Sequence, residues 1–175
     1  KAHPPIGTCQ MGITIPPQGG DTLFANQHLA YERMPESLQQ RAEKLQAVHS
    51  AVLAYSPDGL YGKPDPEVKS GMQPIISEEA RKTQSHPLVI THPDNGRKAI
   101  YGCMGYTIGI EGMADDAAEE LLRELHGWQT KEECVYRHQW QPNMLIMWDN
   151  RSVLHAATGG FDGFDRLLHR TTIWP

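Results

Sequence analysis

The sequence predicts a mainly β domain, a sandwich or jelly roll that carries helices on one side. Three observations lead there. Several short apolar or alternating runs end at Pro, Gly or Asn-Gly turns. Two longer stretches repeat apolar residues at helical spacing. A chain of 175 residues with 39% hydrophobic content makes one domain with one sizeable core. Short strands and amphipathic helices bury their apolar faces together when the strands form layers and the helices cover a side.

The elements follow in order. "CQMGITI" before "PPQGGD" reads as a strand closed by a Pro/Gly turn. A helix then starts near Pro35, with Leu38, Ala42, Leu45 and Val48 on one face. Residues 55–85 are rich in Pro, Gly and charge without clear periodicity, and read as a long excursion or lid. "HPLVITH" and "RKAIYGC" flank the turn signal "PDNG" and predict a hairpin. "ADDAAEELLRELHGW" predicts a second helix, with Asp116 and Glu119 as a capping box and Gly127 as its stop. "CVYRHQW", "NMLIMWD", "RSVLHAA" and "RLLHRTTIW" supply four more strands.

A net charge of −5 offers no field for nucleic acid, so individual arginines act locally. No apolar run reaches the roughly 18 residues of a membrane span. Cys9, Cys103 and Cys134 are odd in number and far apart, which reads as free thiols in a reducing, cytoplasmic setting. The chain opens at "KAHPPIG" without a methionine, and the expectation is that a segment precedes it.

The densest chemistry lies near the end. Alternation puts Arg166, Leu168 and Arg170 on one side of a strand, with the arginine Cα atoms ~13 Å apart. That spacing suits two anions or one long one, because each guanidinium offers a two-pronged donor fork for a carboxylate or sulfonate. It also suits two surface salt bridges. His155, in "VLHAA", is expected on a half-buried strand. Taken alone, it reads as a hydrogen-bonded core residue, since no second ligand stands at a metal-like spacing.

"GGDTLF" (19–24), "THPDNGRKAIYGCMGYT" (91–107), "YRHQWQPNMLIMWDNRSVLH" (136–155) and "DRLLHRTTI" (165–173) together resemble the taurine dioxygenase and phenoxyacetate dioxygenase family. The resemblance runs from about Pro4 to the C-terminus. It implies a double-stranded β-helix, the cupin-like jelly roll, and dependence on iron(II), 2-oxoglutarate and O₂. By that resemblance His155 is the distal histidine of the iron triad. Arg166 pairs with the far carboxylate of 2-oxoglutarate, and Thr22 helps it by a hydrogen bond. Arg170 receives the anionic head of the substrate, Tyr106 is an aromatic wall of the substrate pocket, and Trp148 is an aromatic neighbour of the iron. The implied reaction hydroxylates a small anionic organic substrate, a sulfonate, sulfate ester or phenoxy acid, with release of succinate and CO₂. No nucleic-acid or membrane partner is implied, and a homo-oligomer is compatible with the sequence.

One part of the family pattern has no match. The family's His-x-Asp pair is expected just upstream of Lys1, so the chain reads as a single jelly-roll domain, residues 1–175, without its N-terminal portion. The string His92-Pro93-Asp94 falls on a hairpin tip and is not assigned to iron. His86, His126 and His138 have no matched role. The alternative reading is a non-catalytic jelly-roll module that holds a dicarboxylate or similar anion with Arg166 and Arg170.

Overall fold

The computed structural model describes residues 3–59 and 75–175. Strand β1 (Gly7–Thr14) leads through the Pro/Gly turn into β2 (Thr22–Asn26). Asn26 then caps α1 (Gln27–Arg33), its side-chain oxygen accepting from the backbone N–H groups of His28 and Leu29. The sequence reading does not contain this helix. Pro35 stands at the cap of α2 (Glu36–Ala42). The helix expected to run to Val48 therefore ends early, and Val48 belongs to β3 (Gln46–Ser50). A short α3 (Val52–Tyr55) follows.

The excursion expected over residues 55–85 falls partly on residues 60–74, which lie outside the described residues. Its end is ordered: β4 (Thr83–Pro87) pairs with β3. The expected hairpin is present as β5 (Val89–Thr91) and β6 (Lys98–Ile100), turning through Gly96 at φ +69°. Strand β7 (Thr107–Ile110) pairs with the other edge of β3, so backbone ladders on both sides override the helical spacing there.

Helix α4 (Asp115–Gln129) corrects two expectations. Ala114 is at its N-cap, and Asp116 accepts only from the neighbouring Ala117 N–H, so no capping box forms. Gly127 lies inside the helix rather than stopping it. The buried Gln129 amide donates to the Gly102 carbonyl at 2.6 Å, and this anchor offsets the ~1 kcal/mol a helical glycine costs. The last four strands are as expected: β8 (Val135–His138), β9 (Leu145–Asp149), β10 (Val153–Ala157) and β11 (Leu167–Ile173).

The main apolar core does not lie between the large sheets. It lies where α1, α2 and α4 meet the small strands, with Leu88, Ile100, Leu121 and Leu125 at its centre. Beside it stand two three-stranded antiparallel sheets, ordered β11-β1-β9 and β10-β2-β8. They face each other through Phe24 of β2 and Trp148 of β9, whose ring centroids are 5.1 Å apart. Among the described residues, β10 and β11 are sheet edges, and both are largely exposed. No helix among them is long and apolar enough to cross a membrane.

Candidate active site

Two glycine pairs build the foundation of the site. Gly19 and Gly20 precede β2, and Gly159 and Gly160 follow β10. The Gly20 N–H donates to the Gly159 carbonyl at 3.0 Å, and Thr158 donates from its N–H to the Asp21 carbonyl at 2.9 Å. The approach is too close for side chains: a Cβ on Gly19 would fall 2.3 Å from the Gly160 oxygen. Both Gly19 and Gly20 also hold positive φ.

This contact sets Arg166. Its Nε donates to the Gly20 carbonyl at 3.0 Å, and a Cβ on Gly20 would lie 2.8 Å from the Arg166 side chain. The guanidinium sits 5.6 Å over the Phe161 ring. With Nε tethered, the two terminal amino groups are left as a fork. Burial lowers the Arg166 pKa, and the Asp21 charge opposes that shift. Asp21 itself pairs with Arg137 at 2.9 Å. Among the described residues neither Arg166 nor Arg170 forms a carboxylate ion pair, so the salt-bridge alternative is not what the fold builds.

Thr22 lies two residues beyond Gly20, in β2 between Ala157 and His138. It is buried, and its hydroxyl accepts from Trp140 Nε1 at 3.0 Å. Its own proton finds no acceptor among the described residues. Trp148 Nε1 and His138 Nε2 are likewise buried without a partner. Gln27 Oε1 on α1 and His126 Nδ1 on α4 are in the same state among the described residues, and each unpaired buried polar atom costs about 1–3 kcal/mol.

His155, Arg166, Arg170 and Tyr106 line one open depression of about 2300 Å³. A closed small-molecule pocket is ~300–1000 Å³, so this is an open bowl. His155 is exposed on β10, not half-buried as its sequence context suggests. Its ring leans on Trp148 at 4.8 Å and makes no hydrogen bond among the described residues. The concave wall strips part of its solvation and, with the Arg170 charge, lowers its pKa. A neutral imidazole with free nitrogens suits a metal ligand. Arg170 crosses from Gln10 of β1. Tyr106 is hydrogen-bonded to Tyr55, and burial followed by that bond raises its pKa. Trp148 lies beneath His155, buried between the sheets and off the wall of the bowl.

The sequence reading missed Tyr55, Trp140 and the Gly20 carbonyl. Tyr55 sat in the unpatterned excursion, and no local signal marks a backbone carbonyl as an anchor.

A separate cluster brings ligand atoms of His92, Asp94 and Asp149 within 4.8 Å of one another. It already holds a cation. Arg151 Nη2 reaches Asp149 at 2.6 Å and Asp94 at 2.8 Å, while His92 Nε2 donates to Asp149 at 2.9 Å. His92 Nδ1 accepts from the Asp94 N–H, which fixes the neutral tautomer. Burial alone would raise the Asp149 carboxyl, but hydrogen bonds from Arg151 and His92 bring it down to about 2. The cluster locks the turn from β9 into β10, consistent with leaving His92 and Asp94 out of the iron assignment.

The model of the family described as "Taurine catabolism dioxygenase TauD, TfdA family" matches residues 1–172. The chain belongs to that family. An alkylsulfatase from Acinetobacter baylyi is 34% identical over 173 residues, 98% of this chain and 53% of the relative. An alpha-ketoglutarate-dependent 2,4-dichlorophenoxyacetate dioxygenase from Cupriavidus pinatubonensis is 36% identical over 161 residues, 91% of this chain and 52% of that protein. The solved structure of AAD-2 in complex with Mn(II) and N-oxalylglycine superposes with a TM-score of 0.83 at 26% identity, covering 99% of this chain and 65% of the other. The chain thus spans about half the length of the curated relatives it matches.

Proposed function

We propose that this chain carries one iron ligand and both anion-binding arginines of an iron(II)- and 2-oxoglutarate-dependent dioxygenase with a double-stranded β-helix, or jelly-roll, fold. One observation carries the reading. Among the described residues two arginines without carboxylate partners open, with His155, onto the same bowl, and the Nε of Arg166 is tethered by the Gly20 carbonyl, two residues before Thr22. A surface arginine needs no such tether. A half-buried guanidinium with its terminal amino groups free is suited to receive a carboxylate.

In this reading Arg166 and the Thr22 hydroxyl hold the distal carboxylate of 2-oxoglutarate, and His155 is one ligand of iron(II). In the family pattern the other two protein ligands are a His-x-Asp pair. Iron, when bound, supplies the O₂-dependent oxidation that turns 2-oxoglutarate into succinate and CO₂ and hydroxylates the substrate. The chain's own residues orient the two organic partners. Arg170 takes the anionic head of a small substrate, and the Tyr106–Tyr55 pair walls it. The names of relatives point to substrates with an anionic head, which supports a sulfonate, sulfate ester or phenoxy acid as the candidate substrate of this chain.

The test uses the full-length iron protein without oxygen, titrated with 2-oxoglutarate. Arg166→Ala is expected to weaken binding by roughly 2–5 kcal/mol, the cost of losing a buried charge-assisted partner. Arg170→Ala is expected to leave that titration nearly unchanged and to raise KM for an anionic substrate in succinate release. Equal loss of 2-oxoglutarate binding in both variants would contradict the division of labour. A full-length protein that binds no iron(II) would belong instead to the non-catalytic anion-binding class.

A further inference from the structure

Thr22 offers one proton and two acceptor positions, and which of these faces a ligand depends on its neighbours. The neighbour here is an indole N–H, which can only donate. Trp140 Nε1 gives its hydrogen to Thr22 Oγ1 at 3.0 Å in a fully buried contact. That occupies an acceptor position and leaves the threonine proton with no acceptor among the described residues. A hydroxyl so held presents itself to the site as a donor, which is what a carboxylate requires.

The indole is itself held. Trp140 is buried, and the His138 ring meets it edge-on at 89° with centroids 4.8 Å apart. On another side Gly12 of β1 approaches so closely that a Cβ there would lie 3.2 Å from the indole and 3.1 Å from the Gln141 carbonyl. His138 is the direct cross-strand partner of Thr22, and Trp140 follows two residues after it, just beyond the end of β8. A buried indole N–H needs an acceptor, and the one Trp140 uses is the Thr22 hydroxyl, two residues beyond the Gly20 carbonyl that tethers Arg166.

We propose that Trp140 is a positioning residue of the cosubstrate site: it orients the Thr22 hydroxyl as a donor toward the distal carboxylate of 2-oxoglutarate. The inference rests on the reading that Thr22 and Arg166 hold that carboxylate. Trp140 touches no substrate and acts through Thr22. It therefore affects the carboxylate end of the ligand and not the metal-chelating end.

The experiment is calorimetric titration of the full-length protein loaded with Mn(II), using 2-oxoglutarate and, separately, oxalate, which offers only a chelating end. Trp140→Phe is expected to weaken 2-oxoglutarate roughly five- to tenfold, the usual worth of one hydrogen bond, and to leave oxalate unchanged. Benzothienylalanine at position 140 keeps the indole shape and removes only the N–H, so it is expected to show the same selective loss with packing intact. In a Thr22→Val background, replacing Trp140 by benzothienylalanine is expected to add nothing, while Thr22→Ser retains the Trp140 dependence. Equal weakening of oxalate, an additive loss in the Thr22→Val background, or full 2-oxoglutarate affinity with benzothienylalanine each overturns the proposal. Wild-type protein that binds oxalate normally but gains nothing from the distal carboxylate overturns the cosubstrate reading beneath it, a result distinct from the other three.

Discussion

Between α1, α2, α4 and the β5–β6 hairpin, the buried groups are Leu88, Ile100, Leu121 and Leu125, each at most 2% exposed and surrounded by other apolar side chains. Between the two three-stranded sheets the buried groups are Thr8, Thr22, His138, Trp140 and Trp148, and two ring nitrogens there have no partner. The first region is built mainly from apolar side chains, with the buried amides of Gln27 and Gln129 beside them, and its apolar area contributes about 25 cal/mol per Å² on burial. The second gathers polar and aromatic side chains, and among the described residues its strands β10 and β11 are exposed edges. On the proposed function, stability and ligand chemistry fall to different layers. A change in one layer is expected to be nearly silent in the other.

The largest effect expected on this separation is His155→Ala. Iron-dependent 2-oxoglutarate turnover in the full-length protein falls to background, while the melting temperature stays close to wild type because the side chain is exposed. Activity and melting curves on the same sample check both halves. Retained turnover would return His155 to the role of an ordinary strand residue.

Leu125→Ala is the reciprocal case. Leu125 is 1% exposed, so removal of its side chain is expected to cost about 2–5 kcal/mol in a denaturant titration. Affinity of the remaining folded protein for 2-oxoglutarate should not move. A drop of tenfold or more would show the two layers to be coupled.

The Asp149 turn sits at the seam, and acid tests it. Its folded pKa of about 2 lies below the unfolded value of 3.8, so its contribution to stability is present above about pH 4. That contribution, about 2 kcal/mol, is lost as pH falls through about 2. Asp149→Asn is expected to lower stability at pH 7 and to flatten the acid limb of the stability–pH curve between pH 4 and 2. An unchanged acid limb would mean that Arg151 and His92 do not hold the carboxylate in solution.

Gly20→Ala gives the smallest of the expected effects, a modest loss of stability with a selective change in function. The positive φ costs about 1–2 kcal/mol, and the new methyl group displaces the Arg166 side chain it would meet at 2.8 Å. Reduced 2-oxoglutarate affinity with normal oxalate affinity is the expected calorimetric result. Equal affinity for both ligands in mutant and wild type would show that the tether is dispensable.

Much of this was written in the chain. Apolar runs punctuated by turn residues were enough to find β1 and β8 to β11, because those strands are short, bounded and locally consistent. The "PDNG" turn located the β5–β6 hairpin for the same reason. The family pattern marked Thr22, His155, Arg166 and Arg170 as site candidates, since anion-binding and metal-binding side chains stand at fixed offsets along strands.

Only the tertiary structure decided the rest, because the deciding contacts join residues far apart in sequence. Helix α2 stops at Ala42 since β4 and β7 claim the following backbone, and α4 runs through Gly127 since Gln129 is anchored on Gly102. His155 is exposed on β10, which among the described residues is a sheet edge. The meeting of Gly19 and Gly20 with Gly159 and Gly160, and the hydrogen bond from Trp140 to Thr22 across 118 positions, carry no local periodicity at all. The sequence by itself named the groups that can hold an anion. The folded chain determined that Arg166 is half-buried, tethered at Nε and, among the described residues, without a carboxylate partner, the combination that on the proposed function makes it a receptor.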